Sequence, residues 1–122
     1  MKTKRAILSA IFLLSASIAG LSSAAPDARN NYMLHCATCH GAKGDGKGEL
    51  ADSLGEGIKT RDHTDTKYMS SRSDQDLIKV ITGGGGSMGF SDAMPSFGAI
   101  LSKQEILDIV GYLRQLCKCK GK

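Results

Sequence analysis

Cys36-Ala37-Thr38-Cys39-His40 is the stretch on which the reading of this chain turns. Two thiols three positions apart at a helix end can each reach one edge of the same flat ring. The adjacent histidine then lies beneath that ring with an imidazole nitrogen aimed at its centre. Cys-x-x-Cys-His is the pattern of covalent haem attachment. The expectation is one haem c held through Cys36 and Cys39, with His40 as an iron ligand.

Three other uses of these cysteines compete. A redox dithiol wants a strand before the motif and a helix after it; here a helical pattern precedes it and a glycine-rich loop follows. A structural disulfide between Cys36 and Cys39 leaves His40 without a purpose. A four-thiolate zinc site could add Cys117 and Cys119, but its second half would be Cys-x-Cys, and export to an oxidising compartment disfavours it.

Export is read from the other end of the chain. Met1 to Arg5 is basic, Ala6 to Leu21 is apolar, and Ser22-Ser23-Ala24-Ala25 supplies small residues. That order is a secretory signal peptide. The apolar run is interrupted by Ser9, Ser15, Ser17 and Gly20, and falls short of the ~20 strongly apolar residues of a spanning helix. Cleavage after Ala24 is expected, giving a signal over residues 1–24 and one domain over residues 25–122. The mature protein should be periplasmic, with no membrane span.

Cleavage removes Lys2, Lys4 and Arg5, so the formal net charge of +4 falls to +1. A nucleic-acid binder would keep a basic surface, so that class is set aside. The remaining 98 residues hold five aromatic residues, no Trp and 14 Gly. So small and glycine-rich a domain buries little apolar surface against its ordering entropy. A large apolar cofactor would fill the deficit.

Around the motif, helical patterns dominate. Pro26 to Ala37 reads as a first helix with Asp27 as its cap, and one short turn is expected near Thr66 to Ser70. Ser73 and Asp76 form a capping pair for a helix with Leu77, Ile78 and Ile81 on one side, stopped by Gly83 to Gly86. Ser102-Lys103-Gln104-Glu105 is a capping box. It opens the clearest helix, to about Leu116, with Ile106, Ile109, Val110 and Leu113 at helical spacing. No strand pattern of useful length occurs.

The second iron ligand must come from outside the motif. His35, His63, Met33, Met69, Met88 and Met94 are the candidates. Met94 leads, because Pro95 stiffens the loop that would present its sulfur. Met88 sits in a glycine-rich stretch with nothing expected to hold it. Met33 and Met69 read as core fillers, and His63 as a surface or loop residue.

The chain resembles a class I cytochrome c. The resemblance rests on Tyr32 through Gly41, on Gly44, Gly46 and Gly48, on Met94-Pro95-Ser96-Phe97-Gly98, and on Leu101-Ser102, Glu105-Ile106 and Val110-x-Tyr112-Leu113. It implies an all-α cytochrome c fold, three main helices plus short helical turns wrapped around one covalent haem. It also implies that the first and last helices cross with Tyr32 near Tyr112, that His40 and Met94 are the axial ligands, and that the activity is electron transfer. The partners would be a redox donor and a redox acceptor, met by a monomer or weak dimer. Rival readings are a haem enzyme or gas sensor with a displaceable Met94, or an electron-transfer subunit of a larger oxidoreductase.

Two departures from the family pattern carry expectations. No Pro follows the motif before Pro95, so a carbonyl such as that of Gly57 or Ile58 is expected to orient His40. Ala28 stands where many relatives have Gly at the helix crossing. Arg61 is either a partner for a haem propionate or a solvated loop charge. Cys117 and Cys119 admit a disulfide, a link to a second chain, or free thiols.

Overall fold

The computed structural model describes residues 24–122; the expected export signal, apart from Ala24, lies outside them. Five helices form among the described residues: α1 Ala24–His35, α2 Ala37–His40, α3 Thr66–Ser70, α4 Asp74–Gly83 and α5 Lys103–Cys117, with short 3-10 turns at Ala51–Ser53 and Gly85–Met88. No strand occurs among these residues. The architecture is the all-α one that the sequence indicated. Asp27 lies inside the first turn of α1, beyond the cap position, where a carboxylate still favours the positive end of the helix.

The caps of α4 and α5 follow from their sequences. Ser73 Oγ accepts from the Asp76 amide while the Asp76 carboxylate accepts from the Ser73 amide. Ser102 and Glu105 exchange the same pair of bonds. Each box satisfies two of the amides that a helix start leaves unpaired. Ser102→Ala should cost about 1 kcal/mol, read as a lower midpoint in chemical denaturation.

From the Ser102 cap, α5 turns Ile106, Ile109, Val110, Leu113 and Cys117 to one side, all buried. The same core takes Tyr32 from α1, Met69 from α3, and Leu77 and Ile81 from α4. Tyr32 has no exposed surface, and its ring lies 5.2 Å from that of Tyr112, which fixes the crossing of α1 with α5. Ala28 is buried as well.

Arg114 ties α5 to the junction of α3 and α4. Its guanidinium donates to the carbonyls of Met69 (2.6 Å) and Arg72 (2.7 Å) and to the Asp74 carboxylate (2.8 Å). Those carbonyls lie at the end of α3 and just before α4. Just beyond, Cys117 and Cys119 form a disulfide, with Lys118 between them in the left-handed region at φ 50°. That bond removes the free-thiol and interchain options, and with them the four-thiolate zinc site.

The long loop after α2 folds back over the motif. Gly46, Gly48 and Leu50 amides donate to the carbonyls of His40, Cys39 and Thr38. Gly48 is required for this approach, because a Cβ there would collide with the carbonyls of Thr38 and Cys39.

Candidate functional site

The chain bends between α1 and α2. The Cys36 amide still bonds to Tyr32 O (2.8 Å) and the His40 amide to Cys36 O (2.8 Å), so the motif stays helical around the break. Cys36, Cys39 and His40 thereby line one cavity of about 430 Å³. Met69, Leu77, Val80, Ile81, Ile109 and Leu113 supply much of its apolar wall, and Met88, Met94 and Phe97 also face it.

His40 is oriented by a backbone carbonyl. Its Nδ1 lies 2.9 Å from Arg61 O; a carbonyl only accepts, so Nδ1 carries the proton and Nε2 keeps a free lone pair. The acceptor is therefore Arg61, and neither Gly57 nor Ile58. Burial, the largest effect, lowers the His40 pKa, keeping the ring neutral, as metal ligation requires. The Cys36 thiol is pushed up to about 12 by burial and then by Cys39. A redox dithiol depends on a depressed pKa, so this environment opposes that reading.

His63 differs from the sequence expectation. It is buried, not at the surface. Its ring stacks on that of His40 at 4.2 Å and 20°, and its Nδ1 lies 3.3 Å from the Tyr32 hydroxyl. Burial first, then the neighbouring His40, pushes its pKa down to about 3. The unfolded chain would take up this proton near pH 6.5. His63 therefore favours the fold fully above about pH 6.5, and this contribution is lost progressively as pH falls toward 3. Denaturation midpoints measured between pH 7 and pH 4 should fall, and His63→Phe should flatten the slope.

Met94 is held through its backbone. Its carbonyl accepts from the Gly85 amide (2.9 Å), its amide donates to Ser91 O (3.3 Å), and Phe97 and Gly98 amides bond back to Ile81 and Thr82 at the end of α4. Gly85 allows this closure, since a Cβ there would strike Ser91 O. Met88 is better ordered than expected, because it ends the 3-10 turn Gly85–Met88, closed by bonds from the Gly89 amide to the carbonyls of Gly85 and Gly86.

Arg61 is exposed, and its guanidinium stacks 3.7 Å from the Tyr68 ring centroid. Arg72 lies over the same ring at 5.0 Å. Thr60 and Arg72 line the cavity, while Thr60 Oγ1 and Arg72 Nε are buried away from solvent with no hydrogen-bond partner in the described structure. Buried donors of this kind want acceptors. A largely apolar cavity with two thiols, a free imidazole nitrogen, and Arg61 and Arg72 among its lining residues fits a ring that is apolar at its face and carries carboxylates at its rim. Haem is such a group.

A cytochrome c family profile matches residues 26–117. The fold is similar to a c-type cytochrome designated KustC0563, at TM-score 0.59 and 29% identity, covering 74% of this chain and 96% of that one. A tyrosine-to-phenylalanine variant of Kustc0563 gives TM-score 0.57 and 27% identity, covering 74% and 98%. A chain of the Kuenenia stuttgartiensis reducing HAO-like protein complex Kustc0457/Kustc0458 shares the fold at TM-score 0.58 and 24% identity, covering 74% of this chain and 41% of its own length. No curated protein matches the sequence. The chain belongs to the cytochrome c family. It is a small c-type cytochrome with covalently attached haem c, and its family's activity is electron transfer.

Proposed function

We propose that this cytochrome is a periplasmic shuttle that carries single electrons between two redox proteins, with iron held between His40 and Met94. Cys36 and Cys39 Sγ would form the thioether links, and Arg61 and Arg72 would be the candidate partners for the ring's carboxylates. The bound group supplies the Fe(III)/Fe(II) couple. The chain would supply His40 and Met94 as donors, a largely apolar cavity, and a fixed orientation of the His40 ring. The observation that carries this reading is the His40 Nδ1 bond to Arg61 O at 2.9 Å, which leaves Nε2 deprotonated on a residue lining the same cavity as Met94. A thioether opposite an imidazole favours the reduced state. Iron held by both His40 and Met94 would keep no open site for a substrate.

A shuttle must leave its partner quickly, so its docking surface is small. At a mature net charge of +1, steering toward a partner depends on local patches. The test is to mix the reduced holoprotein with carbon monoxide. No binding on the time scale of seconds is expected; rapid binding would replace the carrier with an enzyme or gas sensor. Fractionation should recover a free periplasmic chain beginning at Ala25. Recovery only within a stoichiometric complex would make it a subunit of a larger oxidoreductase.

A further inference from the structure

A hydrogen bond at Nδ1 fixes one corner of the His40 ring but leaves it free to tilt and to turn about the N–H···O line. Something flat must close that freedom if the plane of the ring is to be unique. His63 is placed to do so, with its ring 4.2 Å from the His40 ring and within 20° of parallel.

His63 is itself held at two points. Its amide donates to Gly44 O at 2.6 Å. Its Nδ1 meets the Tyr32 hydroxyl at 3.3 Å, and that hydroxyl donates to Gly41 O at 3.1 Å. The phenol has one proton and gives it to Gly41, so His63 Nδ1 donates to the phenol oxygen. The chain of bonds therefore starts beside His40, at Gly41, and returns to His40 through the face of His63. Arg61 O and the His63 ring also come from one three-residue segment. Between them, Asp62 Oδ1 accepts from the Thr64 amide (2.7 Å) and hydroxyl (2.6 Å), which fixes the local turn.

We propose that His63 is a positioning residue for His40: segment 61–63 is a clip that holds the imidazole at its Nδ1 with Arg61 O and against its face with His63. This rests on His40 being the iron ligand. The partner of a ligating imidazole tunes how much electron density that ligand donates. A clip that keeps Nδ1–H aligned on Arg61 O raises the donor strength of Nε2 and favours Fe(III). Loosening it favours Fe(II).

The test uses the holoprotein and three variants: His63→Leu, His63→Phe and Tyr32→Phe. His63→Leu should shift the Fe(III)/Fe(II) equilibrium toward Fe(II) by roughly tenfold, about 59 mV for a one-electron couple. It should also change the spread of haem methyl shifts in the proton spectrum of the oxidised protein, which reads the plane of the axial imidazole. His63→Phe keeps a flat face and should restore most of both readouts. Tyr32→Phe removes the bond that holds His63, together with the hydroxyl's bond to Gly41 O, and should move both in the direction of His63→Leu, by less. Wild-type readouts in His63→Leu would overturn the proposal, as would equal shifts in His63→Leu and His63→Phe. Should His63→Leu fail to fold, wild-type readouts in Tyr32→Phe would overturn it. If the unsubstituted protein itself lacks a low-spin, histidine-ligated spectrum, the assignment of His40 fails instead, and that result is separate from any variant.

Discussion

On the proposed ligation by His40 and Met94, Met94→Ala should open the iron: the oxidised protein is expected to lose its methionine charge-transfer band, and the reduced protein to bind carbon monoxide on mixing. The loss of a soft thioether also moves the Fe(III)/Fe(II) equilibrium toward Fe(III), by about 100-fold or ~120 mV. The fold should survive, because loop 84–98 is held through backbone bonds, from Gly85 to Met94 O and from Phe97 and Gly98 to α4. Met88→Ala is the matched control. Met88 faces the same cavity, yet its substitution should leave the near-infrared band and the potential in place. A swap of these outcomes would assign the sulfur ligand to Met88.

Cys36→Ser with Cys39→Ser has the other large effect. The exported chain should lack covalently bound haem, and most of it should lack a cooperative thermal transition. The reason is the cavity of about 430 Å³. At ~24 cal/mol per Å³ of void, leaving it unfilled costs up to about 10 kcal/mol. Water entering from the open side reduces this figure, but a domain typically has only ~5–15 kcal/mol in hand. Differential scanning calorimetry with intact-mass analysis reads both changes. A sharp transition at the wild-type temperature in a haem-free chain would show that the core suffices alone.

Local signals in the sequence translated directly into structure. Both helix starts at Ser73 and Ser102 carry their partners three residues on, so the caps need nothing from the rest of the chain. The stripe Ile106, Ile109, Val110 and Leu113 became the buried side of α5 because its period is the helix's own. Cys36-x-x-Cys39-His40 and Met94-Pro95 were legible for the same reason, each packing its chemistry into a few adjacent positions. Both came to line one cavity.

What the sequence left open depended on where loops travel. The bond from His40 to Arg61 O spans 21 positions, and any carbonyl in the loop was a chemically equal choice. Arg61 drew notice as a side-chain charge, while its carbonyl makes the bond to His40. His63 looked like a loop residue because it lies among Asp62, Thr64 and Asp65, and only the path of residues 58–65 carries it beneath His40. The pairing of Cys117 with Cys119 was equally undetermined, since Cys-x-Cys spacing alone fits several states. Asp27 marked the neighbourhood of a helix start but not its cap, a boundary error of a few residues.

The proposed electron carrier holds its iron closed between His40 and Met94. The near-infrared spectrum of the exported, oxidised holoprotein tests it most directly. A weak methionine-to-iron charge-transfer band at neutral pH, lost on reduction, is the predicted result. A low-spin or high-spin oxidised spectrum with no such band would contradict it and leave Met94 a loop residue beside an open or differently ligated iron.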